Sequence, residues 1–351
     1  MSLKIGVYAL ARNEEKHVFD WSHSCDEADV RVVTDTGSTD STVDRLRQSG
    51  VTVATGNVVP WRWDDAHNLS LYHLPSDLDV CIRLDLDERL SPGWRDVIER
   101  EWTDGTNQLF YKYVWSWASD GTEDLVFIAD RIHSRRGFRW SAPTHEGLIC
   151  WHGEKRSKMI TDLQIFHFRD KGKKHTTDLE LLRIAVREAP HDARAQWYLA
   201  REMDYAGMPE AREAFERYLQ MDGGIATERA FACRILWKLT GDPAYLVQAT
   251  AEAPDEPEAW ERLAFLAYRQ REWAKVVACA ERAVACENIG THCSDPLART
   301  RAMDLLAVAL WELGRRPEAL TFARQALARW PEDARLRSNV AAMEQTLGGA
   351  A

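Results

Sequence analysis

The sequence predicts an α/β domain over residues 1–172 followed by an all-α array of paired helices over residues 173–351. Three observations carry this. Up to about residue 170, short β-type runs alternate with amphipathic helical stretches. From about residue 176 the strands stop and helices rich in Ala, Leu, Arg and Glu follow one another across short turns. A length of 351 residues with 45% hydrophobic content lets two such domains each bury a core.

In the first half the strands are LKIGVYAL (3–10), VRVVTD (30–35), VTVAT (51–55), DVCIRLD (79–85) and LFYKYVW (109–115), all rich in β-branched and aromatic residues. NEEKHVFDWSHSC, STDSTVDRLRQSG, WDDAHNLSLYHL and SPGWRDVIEREW lie between them with helical spacing and capping residues near their starts. Strand, helix, strand in that order predicts a largely parallel sheet covered by helices, with ligands at the carboxyl ends of the strands.

In the second half, AQWYLAREMDYAGMPEAREAFERYL, EAWERLAFLAYRQREWAKVVACAERAV and RAMDLLAVALWELGRRPEALTFARQALARWPED resemble tetratricopeptide repeats. The last follows the repeat's spacing best, through Gly314, Ala319, Ala323, Ala326 and Pro331. Helix pairs of this kind bury their faces by stacking on neighbours, so a short solenoid able to hold a protein partner is expected.

Composition excludes several classes. No apolar stretch approaches the roughly 20 residues needed to span a bilayer, and Arg12, Glu14 and Glu15 fall where a secretory peptide would need an apolar region. A cytoplasmic protein without an integral membrane segment is expected. The seven cysteines form no C-x-x-C pair, and Cys286 and Cys293 around His292 fit no zinc spacing, so free thiols are expected. Net charge is -10, yet residues 131–174 carry eleven Lys and Arg against four acids, a basic band able to face phosphates.

Two segments carry chemistry. DTGSTDST (35–42) follows a strand: Asp35 ends it, Gly37 permits a tight turn, and Ser38, Thr39 or Asp40 caps the next helix. In RLDLDERL (83–90), strand alternation would point Asp85 and Asp87 the same way, and two unpaired carboxylates at a sheet's end repel each other. A divalent cation, Mg²⁺ or Mn²⁺, relieves that repulsion, since it takes carboxylates together with phosphate oxygens. The plainer alternative pairs these aspartates with Arg83 and Arg89.

With ALARNEE, VVTDTGSTDST, WDDAHN and IRLDLDE in order, and THEGL (144–148) and IFHF (165–168) after them, residues 3 to about 170 resemble a family 2 glycosyltransferase of the GT-A fold. The resemblance implies a metal-dependent, inverting transfer of one sugar from a nucleotide-sugar, with a UDP-sugar as the expected donor. By position it places Ala11, Arg12, Asn13, Glu15, Asp35, Asp65, His67, Asn68 and Asp85 around the donor, and makes Asp87 the principal metal ligand beside Asp85. His67 stands where many relatives carry Arg, so a protonated His67 or the basic band would have to supply the missing charge. His145 and His167 are further candidate metal or phosphate contacts.

For the base that takes the acceptor proton, Glu146 is the first choice and Asp130 the second. Of the fifteen tryptophans, Trp61, Trp63, Trp140 and Trp151 fall near the expected acceptor side, whereas Trp115 and Trp117 read as core, as do Trp197, Trp237, Trp260, Trp273, Trp311 and Trp330. The expected acceptor is macromolecular: a peptide or protein, a saccharide, or DNA carrying a hydroxymethylated base held by the basic band. Two other readings stand beside this one, a catalytically inactive repeat scaffold and a nucleotidyltransferase.

Overall fold

The computed structural model describes residues 2–103, 105–118, 120–168, 178–286 and 295–348. The chain divides into two compact units, Met1–Ala185 and Val186–Ala351. The expected boundary at 172/173 lies outside the described residues.

The first unit is built on one eight-stranded sheet. Its first half alternates β1 (Ile5–Ala11), α1 (Val18–Ser24), β2 (Val30–Asp35), α2 (Thr42–Gln48), β3 (Thr52–Thr55), α3 (Trp63–Tyr72) and β4 (Val80–Arg83). These four strands are parallel in the order β3-β2-β1-β4. β1 is buried along almost its whole length, which the unbroken run IGVYALA makes possible for a central strand covered on both faces.

The second half is β5 (Glu88–Leu90), α4 (Trp94–Glu101), β6 (Gln108–Val114), β7 (Val126–Ser134), β8 (Phe138–Ser141), β9 (Gly147–Cys150) and β10 (Ser157–His167). The sheet continues beyond β4 as β7-β6-β10-β5, and β8 with β9 forms a separate hairpin. The expectation of a largely parallel sheet is corrected here: β4–β7, β6–β7 and β10–β5 are antiparallel, against four parallel pairs. β7 and β10 carry Asp130, Arg131, Asp162 and Gln164 among their apolar residues, which hides the period of two.

A second correction bears on the site. β4 ends at Arg83, so Asp85 and Asp87 lie in a turn closed by the Glu88 amide donating to the Asp85 carbonyl at 2.9 Å. Strand alternation therefore does not orient them.

The remaining helices are α5 (Leu179–Glu188), which crosses the division, and then α6 (Ala193–Tyr205), α7 (Ala211–Gln220), α8 (Ala226–Thr240), α9 (Ala244–Glu252), α10 (Pro257–Arg269), α11 (Trp273–Ala285), α12 (Ala298–Glu312), α13 (Arg316–Arg329) and α14 (Ala334–Gly348). The second unit is all-helical, with α6 on α7, α8 on α9, α10 on α11 and α12 on α13. Its core is made close by small residues: Ala264, Ala267, Ala280, Ala309 and Ala319 are buried together with Val276, Leu306 and Leu310. Gly314, after α12, has φ of +79°, a conformation that would strain any side chain at that turn. Ala319, Ala323 and Ala326 are all buried, as the repeat spacing predicts.

The tryptophan expectation needs correcting. Trp197 is buried, but Trp330 is 36% exposed. Trp237 and Trp260 are half-buried, with the guanidinium groups of Arg262 and Arg282 lying over their faces at 5.9 and 5.4 Å, whereas Trp273 and Trp311, half-buried too, pack against the core as expected.

Glu256 is buried at the start of α10, and burial together with the charge of Glu258 pushes its carboxyl up to about 7. A carboxyl raised on folding contributes stability that is present below its unfolded value and lost as pH rises from about 4.5 through 7. Glu256→Gln is therefore expected to stabilise the helical unit at pH 8 by on the order of 2 kcal/mol, and by much less at pH 5. Calorimetric midpoints of both proteins at the two pH values check this.

Candidate active site at the carboxyl ends of β1 and β4

A cavity of about 530 Å³ opens where β1 and β4 end. Ala11 ends β1 and Arg12 follows it along one side of the cavity, and Asp85, Leu86 and Asp87 follow β4. α3 and the residues before it supply Trp61, Trp63 and His67, and Asp178 lies at the start of α5. Loops after β1 and β2 are held to each other: the Asn13 amide oxygen accepts from the Thr39 N–H at 2.8 Å, and Ser38 Oγ accepts from the Asn13 N–H at 2.9 Å. Asn13 meets both bonds with φ of +57°, a conformation that asparagine tolerates. Glu15 accepts from the Ser41 N–H at 3.1 Å.

Behind the cavity lies a buried cluster of charge. Arg83 donates to Asp85 at 3.0 Å and to Glu146 at 2.8 Å, and its guanidinium covers Trp140 at 4.6 Å. Arg131 donates to Glu88 at 2.7 Å and to Asp85 at 3.3 Å. Tyr113 donates to Glu88, whose other oxygen accepts from the Asp85 N–H at 2.9 Å. His67, packed between Trp63 and Trp140, has Nε2 3.2 Å from Glu146.

These contacts decide the protonation states. Burial alone would raise the Asp85 carboxyl; the guanidinium groups of Arg83 and Arg131 overcome it and hold Asp85 well below the usual range. Burial would raise Glu146 as well, but Arg83 and the adjacent His67 hold it at about 2. For His67, burial and then the Arg83 charge both lower the imidazole, so it is neutral at physiological pH. At His167 burial works against protonation, and the contact of Nε2 with Asp87 at 3.3 Å raises the imidazole above its usual value.

A carboxyl depressed on folding contributes stability that is present above its unfolded value and lost as pH falls to its folded one. The Glu146 contribution should therefore disappear between about pH 4.5 and 2, roughly 3 kcal/mol over that window. Urea midpoints of the wild type and Glu146→Gln from pH 6 to 2.5 should converge as pH falls. Parallel curves would remove Glu146 from the account.

Several expected site residues prove to be engaged elsewhere. Asp35 is buried, and its carboxylate accepts from the Gly37 and Ser38 amides of its own turn at 3.0 and 3.1 Å. Thr36, beside it, lines the cavity instead. Asn68 gives both ends of its amide to the backbone of Trp140, each at 2.9 Å. Asp65 is exposed, 3.6 Å from Arg62.

Glu146 is a poor base, because Arg83 holds its proton affinity far below working pH. Asp130 accepts from the Gln108 side chain at 3.0 Å and is not among the cavity-lining residues. Burial and the Arg83 charge disfavour a positive charge on His67, and Arg12 and Arg83 are the Lys or Arg side chains lining the cavity among the described residues. The alternative pairing of Asp85 with guanidinium groups is the observed one, through Arg83 and Arg131, while Arg89 faces Asp20 at 3.7 Å.

Of the four expected metal donors, the structure brings together Asp87 and His167. His145 is exposed at a residue with φ of +51° in the β8–β9 connection, and no group of three or more His, Cys, Asp or Glu suited to a metal ion exists among the described residues. Cys293 and His292 lie outside the described residues. Two protein donors fit a divalent oxygen-seeking ion that completes its shell with diphosphate oxygens and water, with His167 binding through a deprotonated ring nitrogen.

The aromatic side chains divide differently from expectation. Trp140 is buried, Trp151 is 61% exposed, and Trp117, expected in the core, is 39% exposed and bridges to Glu123. Trp115 packs against the sheet core and stacks on His167 at 4.4 Å. The basic band is largely spent on structure: Arg131 in the buried cluster, Arg135 on the carbonyls of Leu74 and Pro75, Arg156 on Glu154, and Lys158 on Glu101. Arg169, Lys171, Lys173 and Lys174 lie outside the described residues.

No protein-family model matches the chain, and no curated protein does. Among solved structures it is similar to the MamA protein, at 18% identity and a TM-score of 0.33, over 45% of this chain and 83% of that one. A thermophilic TPR protein in Thermus thermophilus, TTC0263, is 22% identical with a TM-score of 0.30, over 47% of this chain and 88% of that one. YrrB, a TPR protein with an unusual peptide-binding site, is 15% identical with a TM-score of 0.34, over 45% and 78%. At these scores the similarities decide neither family nor activity.

Proposed function

We propose that the first unit is a metal-dependent glycosyltransferase that moves one sugar, with inversion, from a nucleotide-sugar, a UDP-sugar first among them, to a macromolecular acceptor. The observation that carries this reading is the cavity at the ends of β1 and β4, where Arg12 and Arg83 meet Asp85 and Asp87. Parallel strands in the order β3-β2-β1-β4 support it, since ligands of such sheets bind beyond their carboxyl ends. Its division of labour differs from the expected one. Asp87 and His167 would hold Mn²⁺ or Mg²⁺, whereas Asp85 keeps Arg83 and Arg131 in place. The ion would supply Lewis-acid neutralisation of the departing diphosphate. Trp61 and Trp63, edge to face at 5.1 Å, offer indole faces to a sugar or a base.

The helical unit would bind the acceptor, a peptide, protein or saccharide, or a protein partner. DNA with a hydroxymethylated base is the weaker alternative, since most described cations of the band already bond within the protein. No described helix is long and apolar enough to cross a membrane.

Thermal shift with UDP-, GDP- and dTDP-hexoses, with and without Mn²⁺, tests the reading: one donor should stabilise the protein, and more so with the metal. Nucleotide release from that donor should follow. A second reading, an inactive repeat scaffold, is favoured by the engagement of Asp85 with two guanidinium groups, and a flat response across the whole panel would select it.

A further inference from the structure

Asp178 occupies the helix-initiating position of α5, its carbonyl accepting from the Leu182 N–H at 2.9 Å. Aspartate at such a position ordinarily turns its carboxylate onto the first backbone amides of its own helix. Here Oδ2 accepts instead from the Trp63 indole N–H at 3.2 Å and the Thr144 hydroxyl at 3.0 Å, from segments 115 and 34 residues away in sequence. Both donors are themselves held. The backbone N–H of Trp63 donates to the Pro143 carbonyl at 2.9 Å, and Thr144 is buried. Oδ1 accepts nothing from the described residues, and the residue lines the cavity.

The other acids facing that cavity are Glu14, Asp85 and Asp87. Asp85 is ion-paired with Arg83 and Arg131, and Asp87 lies 3.3 Å from His167 Nε2. Asp178 has no cation beside it among the described residues. It is held in one orientation by two neutral donors on one oxygen, with the other oxygen left to accept a proton.

We infer that Asp178 is the catalytic residue that takes the acceptor proton, with Trp63 and Thr144 as its positioning residues; this rests on the transferase reading above. The acceptor O–H proton passes to Oδ1 of Asp178 as the acceptor oxygen forms its bond to the anomeric carbon. The bond from that carbon to the diphosphate oxygen breaks, and the nucleoside diphosphate leaves with the electron pair. Every proton and charge is accounted for, with no oxidant or further reactant.

The test uses the full chain and the UDP-, GDP- or dTDP-hexose that the wild type binds. Asp178→Asn keeps an oxygen for Trp63 and Thr144 and should bind the nucleotide within about twofold of wild type, while nucleotide release falls by about 100-fold or more. Sodium azide discriminates further. Azide is an anionic nucleophile with no proton to lose, so it should restore release in Asp178→Ala by about tenfold or more, forming a glycosyl azide. Release by Asp178→Asn within about threefold of wild type overturns the assignment and leaves the transferase reading standing, as does a deficit in Asp178→Ala that azide leaves untouched. A wild type that binds none of the nucleotide sugars, or binds one and never releases nucleotide, overturns both.

Discussion

Replacing Arg83 with methionine is expected to destabilise the first unit by about 3–5 kcal/mol, the usual cost of leaving a buried charge without its partner. Among the described residues, Arg83 is the one cation that touches both Asp85 and Glu146. The side chains of Arg83 and Glu146 are only 8% and 11% exposed, so water cannot replace the lost contacts. After the substitution Asp85 keeps Arg131, but Glu146 keeps only His67, which burial holds neutral. Methionine also loses the guanidinium that covers Trp140. The urea midpoint of the first unit, followed by tryptophan fluorescence, reads the effect. Arg83→Met/Glu146→Gln should recover part of the loss, because it removes the orphaned carboxylate along with the cation. A double variant no better than the single one would show that packing on Trp140, and not charge, is what Arg83 contributes.

Asp87→Ala should reduce nucleotide release by on the order of 10²–10³-fold and abolish its response to Mn²⁺, since the substitution removes the only carboxylate in the pair that would hold the ion. Asp85→Asn should behave differently. Its carboxylate serves Arg83 and Arg131, so the expected signature is a lowered melting temperature with Mn²⁺ still stabilising the nucleotide complex. The two aspartates differ by one intervening residue and would be equivalent if they shared a metal. Matching losses of Mn²⁺ dependence in both variants would restore the shared-ion arrangement and overturn the division of roles between Asp85 and Asp87. Because losing a carboxylate beside an imidazole also alters local charge, His167→Gln serves as the second arm, with the same loss of Mn²⁺ response expected.

Much of the fold is legible from the chain itself. The run IGVYALA reads as a central strand because every residue in it can be buried, and the repeat-like alanines of α13 read correctly because only a small residue lets two helices approach at those positions. The antiparallel half of the sheet is less legible. β7 carries Asp130 and Arg131 side by side, which interrupts its apolar alternation, and these polar groups are tolerated there through contacts with Gln108, Glu88 and Asp85, residues far away in sequence. The half-buried rings of Trp237 and Trp260 escape the sequence for a related reason: helical spacing says which face a ring occupies, not whether an arginine from another helix will cover it.

At the candidate site, local sequence marks the segments and misjudges the side chains. RLDLDERL correctly marks the end of a strand beside a cavity, and DTGSTDST a capped turn. Choosing among acids requires knowing which cation each one meets. Glu146 and Arg83 are 63 residues apart, and Asp178 meets Trp63 across 115. Asp178 has no motif around it to draw notice.

Composition, periodicity and turn chemistry alone determine an α/β unit followed by paired helices, because burial of apolar faces and strain at positive φ act over a few residues. The protonation and partner of each acid were decided only by the tertiary structure, because desolvation and Coulomb attraction act through space and grow as water is excluded. Those two forces, acting between residues that the chain keeps far apart, separate Asp85 and Glu146, ion-paired with buried guanidinium groups, from Asp178, whose carboxylate meets only the neutral donors Trp63 and Thr144 among the described residues.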